Sequence, residues 1–299
     1  MTVSDIQNPI PEEEDAPPPR KSWWQALMSD RAAALAVTLL AVIVIAALFA
    51  PWLAPHDPNE GTRAVMQPPV WAERGNQDHI LGTDGQGRDI LSRVLYGTRL
   101  TLLIGFVAVG IGGVIGSGLG LLSAMYTRID PYLMRVNDML LSFPAILLGL
   151  ALVAVMGPGT MPVIVAIGIA SVPDCARIAR SIGVSIMGQE FIEAGRAVGL
   201  SDGALFTRYL LRNAISSIMV FISLRFGQVI LIGAALSFLG LGARPPTSEL
   251  GMMAAQGRDF LLFAPHIATI PSVTIFVIVL CANITGDALR DVLDPRLQS

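Results

Sequence analysis

Long apolar runs alternate with polar segments along the chain, and six of the runs approach the length needed to cross a bilayer. A helix rises about 1.5 Å per residue, so about 20 residues cross the roughly 30 Å of hydrocarbon. We therefore predict an all-α integral membrane protein with six transmembrane helices. The predicted spans cover residues 32–53, 100–125, 139–156, 161–176, 215–241 and 267–283.

The polar segments between the apolar runs predict the domain organisation. The N-terminal tail is rich in Pro, Glu and Asp and lacks the apolar side chains needed for a core, so it is expected to be partly disordered. A very short connection between the third and fourth spans predicts a tight antiparallel hairpin. The predicted units are the tail (1–30), the first transmembrane helix (31–54), a long loop (55–96), a five-helix core (97–287) that contains a polar insert (177–213), and a terminal segment (288–299).

The distribution of Arg and Lys predicts the orientation, because cytoplasmic segments carry an excess of these residues. With six spans both termini share one side, and that side carries Arg20, Lys21, Arg31, Arg128, Arg135, Arg177, Arg180, Arg196, Arg208, Arg212, Arg290 and Arg296. The opposite side carries Arg63, Arg74, Arg88, Arg93, Arg99, Arg244 and Arg258. Both termini and the polar insert are therefore predicted to be cytoplasmic. Residues 88–99, which count against this orientation, are predicted to form an amphipathic helix at the membrane surface.

The composition limits the chemistry that the chain can perform. Charged residues make up 14% of the chain, against about 25% in ordinary soluble domains. The net charge of −3 does not favour a nucleic-acid partner. Lys21 is the only lysine, so a phosphate-binding loop ending in Gly-Lys-Ser/Thr cannot occur, and the chain is not expected to hydrolyse ATP by that chemistry.

The residues that commonly bind metals or act as nucleophiles do not form a recognisable site in the sequence. Cys175 and Cys281 lie in apolar runs and are predicted to be buried as small hydrophobic residues rather than joined in a disulfide. His56, His79 and His266 are scattered singly without the spacing of metal ligands. We therefore predict no catalytic residues, no cofactor and no metal in this chain.

The polar insert has the pattern of a helix, a turn and a second helix. The first helix would place four residues on one face: Phe191, Ala194, Gly195 and Val198. Gly199 is positioned as the left-handed residue that ends this helix. Ser201 suits the N-cap of the next helix, and Asp202 is favourable in its first turn. An ordinary cytoplasmic loop on the membrane surface is the alternative that composition leaves open.

Two charged residues fall within the predicted spans. Arg225 lies midway along the fifth span, where a charge costs about 3 kcal/mol, so it should face protein or a water-filled path. Asp174 lies near the cytoplasmic end of the fourth span. Arg225 either lines a translocation path or belongs to a structural ion pair, and Asp174 is a candidate partner although the predicted depths differ.

Glycines recur at every fourth position of the second span, at Gly112, Gly116 and Gly120. Small residues at this spacing let two helix backbones approach closely in lipid. The glycines therefore favour close packing of this span against another helix. That helix belongs either to the same chain or to a partner subunit.

The polar insert resembles a loop of a known transporter family. The pattern Glu193-Ala-Gly-x3-Gly-x9-Tyr209-x-Leu-Arg212 is similar to the Glu-Ala-Ala-x3-Gly-x9-Ile-x-Leu-Pro loop in the membrane subunits of bacterial binding-protein-dependent ABC importers. Gly195 stands in place of Ala, Tyr209 in place of the usual Ile or His, and Arg212 in place of Pro.

Three further stretches resemble the dipeptide, oligopeptide and nickel group of these importers, and within it the C-type permease. They are His-Ile-Leu-Gly-Thr-Asp-x2-Gly-Arg-Asp-Ile-Leu-Ser-Arg at 79–93, Leu-Ser-Phe-Leu-Gly-Leu-Gly-x2-Pro-Pro at 236–246 and Asn-x2-Gly-Asp-x-Leu-Arg-Asp-x-Leu-Asp-Pro at 283–295. The resemblance covers about residues 31–297. It implies a type I ABC importer permease fold with a cytoplasmic coupling-helix loop.

The resemblance also implies a function and a set of partners. The chain would be a non-catalytic permease subunit that moves peptides or small peptide-like substrates such as glutathione across the bacterial inner membrane by alternating access. Its partners would be a paralogous B-type permease, two ATP-binding subunits that carry the ATP and Mg, an extracytoplasmic binding protein and membrane lipid. The residues implied in coupling to the ATPase are Glu193, Ala194, Gly195, Gly199, Leu200, Ser201, Asp202 and Ala204.

Two alternatives compete with peptide import driven by ATP. A proton-coupled secondary transporter would use Asp174 and Arg225 and would be indifferent to ATPase partners. An ABC importer of the nickel type would share the architecture but carry a metal substrate.

Overall fold

A computed structural model describes residues 30–293, and over this range the protein is helical with no β-strand. The predicted tail, apart from Asp30, and residues 294–299 lie outside the described residues. The helices are α1 Arg31–Leu48, α2 Ala50–Leu53, α3 Ile90–Met125, α4 Asp130–Leu141, α5 Ala145–Met156, α6 Thr160–Met187, α7 Glu190–Ala197, α8 Asp202–Phe238, α9 Leu250–Gly257 and α10 His266–Leu293.

The third predicted span is broken rather than straight. In the described part of the chain, α1, α3, α6, α8 and α10 have the length and apolar composition to cross a membrane. α5 has 12 residues and is about 18 Å long, and α4 precedes it at an angle of 88°. Pro144 causes the break, since its ring disfavours helical backbone at Phe143. The count of six spans holds when this bent pair is taken as one.

The second span begins earlier than predicted, because residues 90–99 form the first turns of α3 rather than a separate helix at the membrane surface. α3 starts at Ile90, where the Asp89 side chain caps the helix by accepting the Ser92 backbone N–H at 2.8 Å. Arg93 is only 1% exposed and hydrogen-bonds the Pro58 carbonyl oxygen at 2.9 Å. Arg88 and Arg93, two of the three arginines in this stretch, are therefore buried structural residues, whereas Arg99 is exposed.

The centre of the bundle is formed by three long helices and the short α5. α3, α6 and α8 contribute most of the main hydrophobic cluster. Its buried members are Ile104, Ala108, Val109, Val153, Val163, Ile164, Ala166, Ile167, Val229, Ile232 and Leu236. This cluster fixes the relative positions of the four helices.

The glycines of α3 allow it to pack against α6. A Cβ atom added at Gly116 would lie 2.5 Å from the Val172 carbonyl oxygen and 2.6 Å from the Cβ of Cys175. At Gly112 an added Cβ would lie 2.6 Å from the Cβ of Ser171. Real Cβ atoms do not approach so closely, so these positions accept only glycine without movement. The expectation of close packing is confirmed, and the helix that packs on the glycines belongs to the same chain.

Replacing Gly116 by alanine is expected to destabilise the fold by about 1–3 kcal/mol, because the methyl group overpacks the interface between two backbones. Gly118→Ala is the matched control, since nothing lies within 4 Å of a Cβ at that position. In the control, the better helix propensity of alanine should leave stability unchanged or raise it by up to about 1 kcal/mol. Thermal unfolding of both variants in the same detergent measures the difference, and equal melting temperatures would contradict this packing.

α3 connects the two ends of the bundle. Its 36 residues span about 54 Å, more than the thickness of the hydrocarbon. At its first turn, Ile90 clusters with Ile267 and with side chains of the loop over residues 54–89. At its last turns, Leu121 clusters with Leu205, which follows α7. The long loop and the polar insert therefore lie at opposite ends of the bundle.

Candidate functional site

The predicted helix and turn of the insert are confirmed. α7 covers Glu190–Ala197 and ends where Gly199 adopts a left-handed φ of +81°. The Gly199 N–H donates to the Arg196 carbonyl oxygen at 3.0 Å, and the Leu200 N–H donates to the Gly195 carbonyl oxygen at 3.1 Å. This pair of hydrogen bonds is the Schellman motif that closes a helix C-terminus.

The next helix starts as the sequence predicts. The Ser201 side chain accepts the Ala204 backbone N–H at 3.4 Å, and Asp202 lies in the first turn of α8. α8 then continues without interruption into the membrane, with one π-helical turn over Leu205–Leu210. The second half of the insert is therefore the first turns of a spanning helix.

The face predicted to carry Phe191, Ala194, Gly195 and Val198 is mostly exposed. Ile192 is fully buried and Gly195 is buried beside it, whereas Phe191 is 41% exposed and Val198 is 78% exposed. Apolar residues occur around much of this short helix, so the sequence pattern did not fix which of them face the protein. The two large exposed apolar side chains remain available at the surface.

Gly195, the first departure from the family loop, has a packing explanation. A Cβ at this position would lie 3.0 Å from Cδ2 of Leu205 and 3.2 Å from Cδ1 of Leu200. These are the ends of flexible side chains, but both leucines belong to a hydrophobic cluster at the start of α8. Glycine therefore lets α7 lie close to the start of α8.

Tyr209 and Arg212 are the other two departures from the family loop. The Tyr209 ring lies in the π-helical turn and stacks on Phe191 of α7, with ring centroids 6.2 Å apart and an interplanar angle of 24°. Arg212 is exposed, and α8 runs on regularly past it, so no bend occurs where the family loop has Pro. The ring stack gives a second connection between α7 and the spanning helix.

The predicted coupling residues differ in exposure. Five of them are exposed: Glu193, Ala194, Gly199, Ser201 and Asp202. Leu200 and Ala204 are partly buried, and Gly195 is buried. The exposed residues lie in α7, in the turn that follows it and at the start of α8, and the exposed Val198 lies in the same segment.

Arg225 and Asp174 form an ion pair between α8 and α6. Arg225 Nη2 donates to Asp174 Oδ2, and Arg225 Nη1 donates to Gln228 Oε1 at 2.6 Å. The side chains are 16% and 36% exposed, respectively, so the pair borders open space rather than being enclosed. The guanidinium also lies 5.9 Å from the centroid of the Phe221 ring.

The predicted mismatch in depth between these two residues was wrong. The fourth span was expected to end near residue 176, but α6 continues to Met187. Asp174 therefore lies near the middle of α6, as Arg225 lies near the middle of α8. Pro173 is inside α6, and its carbonyl oxygen accepts a hydrogen bond from Asn137 Nδ2 at 3.0 Å. This hydrogen bond connects α4 to α6.

The opposite end of the bundle contains a buried polar network that sequence reasoning missed. Asp84 pairs with Arg88 at 2.7 Å and with Arg93 at 3.5 Å. Glu249 caps α9 by accepting the Met252 N–H at 2.8 Å, and it also accepts the Thr101 hydroxyl at 3.0 Å. The network ties the long loop and α9 to α3, so these motif residues have a structural role.

The sequence predicted that the three histidines are isolated, but two of them lie together in the structure. The rings of His56 and His79 lie with centroids 4.7 Å apart, next to Asp89. His266 is separate, with its Nε2 3.3 Å from the Thr83 carbonyl oxygen. Sequence spacing could not reveal the pair, because the long loop folds back on itself between residues 56 and 79.

Comparison with known proteins gives consistent results along most of the chain. A family described as "Binding-protein-dependent transport system inner membrane component" matches residues 116–299, and "N-terminal TM domain of oligopeptide transport permease C" matches residues 19–69. The "Di/tripeptide transport system permease protein DppC" of Pseudomonas aeruginosa is 42% identical over 86% of this chain and 85% of its own length. The "Glutathione transport system permease protein GsiD" of Pectobacterium atrosepticum is 46% identical over 74% of each chain.

A solved structure shows the same fold. A chain of the MetNI methionine ABC transporter, in an inward-facing conformation, matches with a TM-score of 0.57 at 20% identity, over 68% of this chain and 97% of its own. At this identity the likeness concerns the fold alone. Together with the family matches, it establishes the all-helical permease architecture predicted from the sequence. The chain therefore belongs to the family of inner-membrane components of binding-protein-dependent transport systems.

Proposed function

We propose that the chain forms one half of the membrane pore of an ATP-driven importer for peptides or small peptide-like substrates, including glutathione. The observation that carries this proposal is the exposed α7–turn surface, held by a Schellman motif and continued directly into the spanning helix α8. The names of the relatives, which concern di- and tripeptides and glutathione, support the substrate class.

The geometry of α7 and α8 supports transmission of force from a partner to the pore. α7 is attached through Ile192, which is fully buried, and through the stack of Phe191 on Tyr209. α8 carries Tyr209 and, further along the same helix, Arg225. A partner that displaces α7 would therefore move the helix that holds the ion pair, as alternating access requires.

The proposed partners follow from this surface. Two ATP-binding subunits would bind the assembly, one on the α7 surface of this chain and one on a paralogous B-type permease, and these subunits would carry the ATP and Mg. A substrate-binding protein would deliver the substrate at the opposite end, next to the long loop. Both termini and α7 would then be cytoplasmic, and the excess of arginine at the α7 end supports this orientation.

We place Arg225 and Asp174 at the translocation path. Both side chains are partly exposed in the middle of spanning helices, where an isolated charge facing lipid would be costly. A surface covered by a second permease, with water between the two subunits, accommodates the pair better. There the guanidinium could meet the carboxylate of a peptide.

Reconstitution of the complete complex in liposomes tests the proposed function. With binding protein outside and ATP inside, we expect uptake of radiolabelled di- and tripeptides that persists when a protonophore collapses the proton gradient. Removing the binding protein or using ATPase subunits without catalytic activity should abolish the uptake.

The same assay separates the alternatives. Uptake that needs no ATPase and stops with the protonophore would contradict our proposal and favour a proton-coupled carrier that uses Asp174 and Arg225. Uptake of radiolabelled Ni²⁺ but of no peptide would favour an importer of the nickel type.

A further inference from the structure

Three side chains from separate parts of the long loop converge at the start of α3. His56 follows α2, His79 lies in a turn in the middle of the loop, and Asp89 is the N-cap of α3. The nearest ligand atoms are His79 Nδ1 and Asp89 Oδ1, which are 2.9 Å apart, and His56 Nδ1 is 3.9 Å from the same carboxylate oxygen. One ligand atom from each of the three residues falls within 4.8 Å of the others.

The two carboxylate oxygens of Asp89 make different contacts. Oδ2 accepts the Ser92 backbone N–H at 2.8 Å and the Ser92 hydroxyl at 2.7 Å, which caps α3. Oδ1 is directed at the two histidines. The carboxylate is therefore already oriented by its helix-capping bonds, as the ligands of metal sites are oriented by their outer hydrogen bonds.

His56 presents a ring nitrogen without a partner. Its Nδ1 is buried and makes no hydrogen bond, although a buried polar atom normally has one. The side chain as a whole is 38% exposed, so the outer part of the ring reaches solvent. The position is fixed by a hydrogen bond from the His56 backbone N–H to the Ser92 hydroxyl at 3.1 Å.

We propose that His56, His79 and Asp89 bind one divalent transition-metal ion, of which Zn²⁺ is the best match. Two imidazole nitrogens and one carboxylate oxygen are a common three-ligand set for zinc. Metal–ligand bonds of about 2.0–2.1 Å in a tetrahedron place the ligand atoms about 3.3 Å apart. The observed separations of 2.9 Å and 3.9 Å from Asp89 Oδ1 lie on either side of this value, so small movements of the rings complete the site.

Binding has a simple proton balance and leaves one position open. The hydrogen bond between His79 Nδ1 and Asp89 Oδ1 uses the tautomer of His79 with its proton on Nδ1. When a metal takes Nδ1, that proton moves to Nε2, so the imidazole binds as a neutral ligand and no net proton is lost. Three protein ligands leave the fourth tetrahedral position to water on the exposed side of His56. The ion would join the end of α2, the middle of the loop and the start of α3, and so stabilise the end of the bundle opposite α7.

Metal binding to the full-length chain tests the site. The protein is purified in lipid nanodiscs with an affinity tag that contains no histidine, and Zn²⁺ is titrated by calorimetry. We expect one ion per chain and a rise in melting temperature with Zn²⁺. Co²⁺, used as a spectroscopic substitute, should give the visible absorption of a tetrahedral site.

Variants of the ligands decide the assignment. His56→Gln removes a partly exposed ligand whose ring nitrogen has no other partner, so the fold should survive while affinity falls by more than about tenfold. The His56→Gln, His79→Gln double variant should lose the cobalt spectrum. His266→Gln is the control, because the structure places this third histidine outside the cluster. Failure of the wild-type chain to bind Zn²⁺, or unchanged affinity in a folded double variant, would overturn the proposal.

Discussion

Replacing Gly199 by arginine should abolish substrate uptake while the chain still inserts and folds. Gly199 has a φ of +81°, and nothing lies within 4 Å of a Cβ at this position, so an added side chain projects outward from the turn. The left-handed conformation costs a non-glycine residue about 1–2 kcal/mol, which a bundle of this size tolerates. The long cationic side chain would then occupy the surface proposed for the ATPase.

We expect uptake to fall at least about tenfold, which corresponds to about 1.4 kcal/mol of lost interaction free energy. ATP hydrolysis by the partner subunits should continue but no longer respond to substrate. Gly199→Asn is the matched control, since asparagine tolerates the left-handed conformation and is short. It should retain most of the uptake. Normal uptake by a stably inserted Gly199→Arg variant would remove the basis for this coupling surface.

Charge reversal at Glu193 tests the part of the proposed coupling surface that lies on α7. Glu193 and Glu190 are both exposed and lie in the first turn of α7, where acidic side chains favour the helix dipole. Glu193→Lys and Glu190→Lys therefore have the same effect on helix stability and net charge. Only the first should uncouple ATP hydrolysis from uptake in reconstituted complexes.

Breaking the ion pair in the membrane is expected to have the second large effect. Asp174→Asn leaves Arg225 without its carboxylate, with only Gln228 accepting from the guanidinium. Because both side chains are partly exposed, we expect the pair to contribute about 1–3 kcal/mol of coupling energy rather than the larger loss typical of an enclosed pair. Uptake should fall in each single variant.

A double-mutant cycle distinguishes a structural role from a role in transport. Arg225→Gln and Asp174→Asn are each expected to lower the melting temperature, and the double variant should recover part of the loss, since no charge remains unpaired. If the pair lines the translocation path, uptake stays low in the double variant despite the recovered stability. Full recovery of uptake together with stability would show that the pair only holds α6 and α8 together.

The polar insert shows which features of a helix and turn can be predicted from the local sequence. Gly199 and Ser201 were assigned as the end of one helix and the cap of the next, and both are found in those roles. Such assignments depend on backbone conformation within a few residues, which the sequence controls directly. The sequence pattern did not show which residues of α7 are buried, because this depends on where Leu205 and Leu200 lie in the tertiary fold.

The sequence by itself determined the all-helical membrane fold, the family and the capped turn of the insert, because apolar run length, motif spacing and capping residues are local properties of the chain. Only the tertiary structure decided the rest: the bend before α5, the pairing of Asp174 with Arg225, and the meeting of His56, His79 and Asp89. Contacts between residues 51 and 33 positions apart depend on helix ends and loop paths that no local pattern encodes.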